Sequence, residues 1–159
     1  MRGILLVIVG LCVGIGLGKA QPVERDIVSL NHIAIAVEDL DAEAVFFSDV
    51  LGFPEAFSVV DQDGATMLAY HQINRSTFVE LLPVTAGRPA GFAHFGLEVT
   101  NADAVIKRLE AAGANVRSPF LSSFTGARIG GAESPSGAFF EVLEFGPDSL
   151  PRKAMDAWH

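Results

Sequence analysis

Two stretches of the chain, Asn31–Val37 and His94–Val99, alternate bulky apolar residues with small or polar ones, the period of two that places successive side chains on opposite faces of a strand. In the first, Ile33, Ile35 and Val37 share one face, and His32, Ala34 and Ala36 share the other. In the second, Phe95, Leu97 and Val99 oppose His94, Gly96 and Glu98. A histidine among small neighbours leaves open space above the sheet. The bulky face is the one expected to pack beneath a helix.

Each strand is followed by a helical pattern. After the first, Asp41 and Glu43 stand near the helix start, Ala44, Phe47, Val50 and Leu51 repeat on one face, and Gly52 occupies the place of a C-terminal cap. After the second, Asn101 opens a helix over Ala102–Ala112 that Gly113 closes. Strands are expected next at Glu55–Val60, Ala65–His71 and Thr77–Leu82 in the first half, with a turn at Asp61–Gly64. The second half offers Asn115–Arg117, Ala127–Gly131 and Ala138–Phe145, with a type I turn at Ser134–Gly137.

The chain therefore reads as α+β, two tandem βαβββ modules over 28–84 and 92–146, joined by a Pro- and Gly-rich linker at 85–91 and followed by a tail, 147–159, of no evident periodicity. The duplication has an internal check. His94 follows His32 by 62 positions, and Glu141 in "FFEVL" follows Glu80 in "FVELL" by 61. Chance composition seldom keeps two landmarks in step so closely.

Those landmarks carry the candidate chemistry. Glu80 is in phase with Phe78 and Leu82, and Glu141 with Phe139 and Leu143, so each carboxylate sits among apolar groups where an unpaired charge is costly. A divalent cation held by His32, Glu80, His94 and Glu141 would neutralise both. Such a mixed nitrogen and oxygen set suits Zn, Ni, Co, Mn or Fe. The competing reading is a sheet face that is simply wet, with no metal. Further candidates for a substrate pocket are Arg128 and His71, on the third strands of the modules, Glu98 on the His94 face, and Phe78 and Phe139. Tyr70 and Met67 are possible lining residues.

Composition narrows the classes. With eleven Lys and Arg against nineteen Asp and Glu, and no basic stripe, the chain is not expected to bind nucleic acid. Residues 1–20 differ in kind: Arg2, an uncharged run from Ile4 to Leu17, then Gly18-Lys19-Ala20, the pattern of an export signal cut after Ala20. The run is too short for an expected membrane span. Export, to the periplasm or beyond, is the expectation, with no stable span after cleavage. The single cysteine, Cys12, lies inside that leader, which excludes cysteine chemistry and disulfides from the rest.

The segments "NHIAIAV", "FFSDVLGF", "FVELL", "AHFGLEV", "LEAAGANV" and "SPSGAFFEVLEF" resemble the vicinal oxygen chelate superfamily, from about Leu30 to Phe145. That superfamily includes glyoxalase I, methylmalonyl-CoA epimerase, extradiol dioxygenases and the fosfomycin and bleomycin resistance proteins. The resemblance implies a cupped, half-barrel-like mixed sheet with one divalent metal at its centre. Its ligand positions fall on His32, Glu80, His94 and Glu141. It also implies a homodimer, a small-molecule substrate with adjacent oxygens, a metal-stabilised enolate and proton transfer by Glu80 or Glu141.

Within the superfamily the glyoxalase and epimerase branches look nearest. The places at which glyoxalase I relatives grip glutathione hold Ala36, Val84 and Ala90, which removes glutathione from the expected substrates. The expectation is thus a metal-dependent lyase or isomerase. An Fe(II) extradiol-type dioxygenase and a metal-free binding or resistance protein are the alternatives.

Overall fold

The structure, a computed structural model, describes residues 25–159; the export signal read over residues 1–20 lies outside them. Eight strands form one mixed sheet that curls without closing. They are β1 (Ile27–Val37), β2 (Glu55–Val60), β3 (Thr66–Asn74), β4 (Thr77–Pro83), β5 (Gly91–Val99), β6 (Val116–Leu121), β7 (Arg128–Glu133) and β8 (Phe139–Glu144), in spatial order β2-β3-β4-β1-β5-β8-β7-β6. β1 pairs antiparallel with β5 at the centre, and each central strand runs parallel to the last strand of its own module, β1 with β4 and β5 with β8. The two modules are thereby related edge to edge within one sheet.

Helices α1 (Leu40–Val45) and α2 (Ala102–Ala111) cover the convex side. Beneath α1 and the turn that follows it, Val37, Val79 and Leu81 form a core with Ile35, Leu40, Ala44 and Phe47; beneath α2, Val99, Val105, Ile106 and Val142 do the same. Asp39 and Asn101 cap the two helices, each accepting a backbone N–H three residues on at 2.9 Å. The bulky faces of β1 and β5 thus turn toward the helices, and the histidine faces line the concavity.

The first helix departs from the expected pattern after Val45. A π-helical turn, Phe46–Val50, extends it, with Leu51 N–H donating to Phe46 O and the Ser48 hydroxyl donating back to Ala44 O. One extra residue per turn swings Val50 and Leu51 out to solvent, so Phe47 alone of that trio packs under the helix. Gly52 then ends the segment at φ 73°.

The tail is also more ordered than its sequence suggests. Leu150–Ala157 forms a third helix, α3, with Pro151 in its first turn and Met155 one turn on, both buried. Met155 packs against Tyr70 and Phe78 on the concave face of the first module, with Ala56, Phe57, Leu68 and Phe145 around it. Among the described residues no helix is long and apolar enough to cross a membrane.

Candidate metal centre

The strand register explains why four chemically matched side chains meet. Ala34 has Glu80 beside it on β4 and His94 beside it on β5. Gly96 has His32 beside it on β1 and Glu141 beside it on β8. Two small residues of the central strands, Ala34 and Gly96, are therefore each flanked by one imidazole and one carboxylate, and the four larger side chains lean over them. At Gly96 this is a steric requirement: a Cβ there would lie 2.6 Å from Nδ1 and 2.7 Å from Nε2 of His32.

The functional atoms face one another. His32 Nε2 lies 3.5 Å from Glu80 Oε2 and 3.9 Å from Glu141 Oε2; His94 Nε2 lies 3.3 Å and 3.7 Å from the same two oxygens. The donor atoms of His32, His94 and Glu141 fall within 4.8 Å of one another, and the imidazole rings meet edge to face at 5.2 Å. Buried His32 Nε2, His94 Nε2 and Glu80 Oε2 have no hydrogen-bond partner despite these approaches, an expensive arrangement for a folded protein. First-row dications hold nitrogen and carboxylate oxygen at about 2.1 Å, which spaces neighbouring donors roughly 3 to 4 Å apart. The four residues fit such an ion in donor type and charge, and each imidazole stands at that spacing from each carboxylate.

The surroundings set the protonation of each donor. Asn31 donates through Nδ2 to Ser76 O, so its Oδ1 is the atom turned to His32 Nδ1 at 3.1 Å. An acceptor there keeps the proton on Nδ1 and leaves the Nε2 lone pair directed into the cluster. Burial pushes the His32 imidazolium pKa down to about 4, against the Glu80 carboxylate, so the ring is neutral at ordinary pH. Burial also opposes the charge on Glu80, yet the hydrogen-bonding influence of His94, the two imidazoles and the Tyr70 hydroxyl together hold that carboxyl below its usual range. His94 moves the other way: burial is outweighed by Glu80 and Glu141, and its pKa rises. Glu141 is raised by burial and by the Glu80 charge, against His94 and Arg117.

Of the remaining sequence-selected residues, Phe139 stands in the cup, its ring 6.1 Å from that of His94. The others sit elsewhere. His71 is paired with Val79 and faces α1, its Nδ1 3.1 Å from Phe53 O and its ring beside Phe47. The expected register is upset by a bulge between Gln72 and Asn74: continued pairing from Asn74 and Thr77 would set His71 against Glu80, but the bulge puts Tyr70 there instead. Arg128 pairs with Glu144 on the helix side of β7 and is held in a two-pronged contact by Asp103 of α2, both bonds 2.7 Å. Glu98 does lie on the histidine face, but it accepts from Arg152 of α3 at 2.7 Å and from Ser29 at 3.2 Å, and so clamps the C-terminal helix. Phe78 is sealed under Met155 and lines no opening.

Three residues that the strand patterns did not bring forward as site residues complete the centre. Tyr70, named only as a possible lining residue, places its hydroxyl 3.3 Å from His32 Nδ1 and beside Glu80. Asn31 orients His32; its one sequence signal is adjacency. Arg117 of β6 donates to Glu141 Oε1 at 3.0 Å, and its guanidinium lies over the rings of Phe120 and Phe139.

A family model described as the Glyoxalase/Bleomycin resistance protein/Dioxygenase superfamily matches residues 29–142. Among solved structures, a variant methylmalonyl-CoA epimerase of Streptomyces coelicolor in complex with 2-nitronate-propionyl-CoA is similar with a TM-score of 0.65 at 23% identity, over 77% of this chain and 98% of that one. The methylmalonyl-CoA epimerase of Mycobacterium tuberculosis gives 0.62 at 20% identity, over 76% and 90%. A hypothetical protein of Bacillus halodurans gives 0.62 at 21%, over 74% and 94%. At these identities the likeness is one of fold. No curated protein matches the chain.

Proposed function

The chain belongs to the glyoxalase/bleomycin resistance protein/dioxygenase superfamily, and on that premise we propose that it is a divalent-metal-dependent lyase or isomerase that moves a proton on a small molecule with two adjacent oxygens. The observation that supports this reading best is the set of three buried, unpartnered donor atoms, on His32, Glu80 and His94, turned toward one another beside Glu141. Two carboxylates and two imidazoles balance a dication, and Zn, Ni, Co, Mn and Fe all accept that set. When bound, such an ion polarises a substrate oxygen and stabilises the enolate that forms on proton loss.

The chain's own residues divide the remaining work. His32 and Glu80, the more deeply buried pair, anchor the site, with Asn31 and Tyr70 fixing the His32 ring. Glu141 is the proton carrier: its side chain is more accessible than that of Glu80, its pKa is raised toward working pH, and Arg117 steadies Oε1 while Oε2 faces the cluster. Phe139 walls the site beside His94 and limits access of water.

The methylmalonyl-CoA epimerases of similar fold favour the isomerase side of the proposal. The leader read over residues 1–20 supports a reaction outside the cytoplasm, where coenzyme A thioesters are not expected as substrates. Exposed Ile27, Val28, Leu30, Ile33 and Phe92 on the central strands support pairing with a second copy. A dioxygenase reading draws on the trio His32, His94 and Glu141, the donor set of Fe(II) oxygenases; Glu80, within 3.5 Å of both imidazoles, argues for the four-ligand reading instead.

The test is elemental analysis after equilibration with Zn, Ni, Co, Mn and Fe(II) together. About one metal per chain is expected in the parent and almost none in His94→Ala. Deuterium exchange at the α-carbon of a panel of hydroxy- and oxo-carbonyl compounds, followed by NMR, should then cease in Glu141→Gln. Absence of metal from the parent would sink the proposal, and oxygen uptake with catechols on the Fe(II) protein would transfer it to the dioxygenase reading.

A further inference from the structure

We propose that Arg117 is the specificity-determining residue of the site and that it selects chelating substrates bearing a second, anionic group, a carboxylate being the simplest. This rests on the metal-centre reading above and deepens it. The positive charge expected on the third strand of the second module, at Arg128, is spent on Asp103 on the other side of the sheet. Among the described residues Arg117, on the neighbouring edge strand, is the Lys or Arg that bonds to the cluster.

Its placement suits anion recognition. Phe120 and Phe139 hold the guanidinium from their ring faces, with the central carbon 5.5 and 5.3 Å from the two centroids. That packing orients the fork before any ligand arrives, so little side-chain entropy remains to be lost on binding. One nitrogen, Nη2, donates to Glu141 Oε1 at 3.0 Å; guanidinium carries five N–H donors in a fixed plane, and the side chain keeps about half its surface in solvent. A groove of about 130 Å³, lined by Asn115, Val116, Arg117, Glu133 and Phe139, opens beside it.

Arg152, the arginine of the helix over the first module, is committed elsewhere. It is bonded to Glu98 and holds α3 down over that module. A ligand that reaches the centre must therefore enter across the second module, past Phe139, with Arg117 alongside. The distance from Arg117 to the donor atoms is one carboxylate, that of Glu141, which contacts both. A ligand spanning from the centre to the guanidinium needs a chelating pair of oxygens and an anionic group a short chain away.

The experiment uses two chelators that share a hydroxamate and differ in charge at the far end, acetohydroxamate and succinate monohydroxamate, titrated into the cobalt-loaded protein and followed by visible absorption. The parent should bind the carboxylated chelator at least about tenfold more tightly, the scale of a charge-assisted hydrogen bond. In Arg117→Gln the ratio of the two affinities should fall to about one, whatever change both chelators share from the loss of the bond to Glu141. Arg117→Lys, which keeps the charge and loses the fork, should fall between. Equal affinities in the parent, or a preference that survives in Arg117→Gln, would overturn the proposal. Failure of the parent to take up cobalt would instead bring down the metal-centre reading, and this inference with it.

Discussion

In the first module the concave face is sealed: α3 lies over it, Met155 closes Phe78 and Tyr70, and the side chains of His32 and Glu80 are 0% and 8% exposed. Among the described residues no helix covers the equivalent face of the second module, and His94 and Glu141 are 13% and 15% exposed beside Phe139 and Arg117. Two copies of one topology, each contributing one imidazole and one carboxylate, have thus been given different surroundings. Burial makes the first pair a rigid anchor, in which desolvation keeps His32 neutral while, against that same burial, His94, His32 and the Tyr70 hydroxyl hold the Glu80 carboxyl below its usual range. Partial exposure leaves the second pair open to a ligand.

The largest test of this asymmetry is to empty the sealed side. Met155→Ala should destabilise the protein by about 2–5 kcal/mol, the usual cost of removing a buried Met side chain, as read by urea or thermal unfolding of the metal-free form. A loss below about 0.5 kcal/mol would mean that α3 is only loosely seated. Leu121→Ala, at an exposed position of the open module, serves as the opposite limit and should change stability by no more than about 0.5 kcal/mol.

Next in size is the opposite behaviour of the two histidines toward acid. His32 has a folded pKa near 4 against 6.5 for an ordinary histidine, so below pH 6.5 the unfolded chain takes the proton first. The metal-free protein should therefore lose stability on this account as pH falls from 6.5 to 4, by on the order of 3 kcal/mol. His94, whose pKa is raised, contributes stability that is fully present below pH 6.5 and is lost as pH rises through its folded value. Proton NMR titration of the imidazole resonances in the metal-free protein should separate the two, one titrating well below 6.5 and one above. Coincident titrations would erase the distinction between anchored and open halves.

The smallest effect expected is at the hydroxyl that ties the anchor together. Tyr70→Phe keeps the packing against Phe57 and Phe78 but removes the contact to His32 Nδ1 and Glu80. Metal affinity should drop about tenfold, the lower end for loss of a group that orients a ligand. An unchanged affinity would leave Asn31 as the sole residue setting the His32 ring.

The elements most legible in the sequence are those governed by short-range period. Glu55–Val60 was expected as a strand and is one, the alternating faces of β1 and β5 are those of the sequence pattern, and the second helix begins at Ala102 with Asn101 as its cap. The meeting of four side chains was legible for the same reason: His32, Glu80, His94 and Glu141 stand at equivalent places of two copies, and small residues at Ala34 and Gly96 leave them room. Less legible was the choice between Tyr70 and His71, adjacent residues on opposite faces of β3. Their assignment depends on one bulge near Gln72, which shifts pairing by a residue and exchanges which of them meets Glu80.

Alternation, caps and duplication are properties of neighbouring residues, and by themselves they determined the modules, the helix-facing and cup-facing sides of the central strands, and the grouping of His32, Glu80, His94 and Glu141. Tertiary structure alone decided which side of each outer strand faces the cup, where the last helix lies, and which arginine stands at the centre. The physical reason is that these outcomes depend on register and on contacts between distant segments. One inserted residue reverses every face beyond it, and a short amphipathic helix such as α3 acquires its place only from the surface it covers.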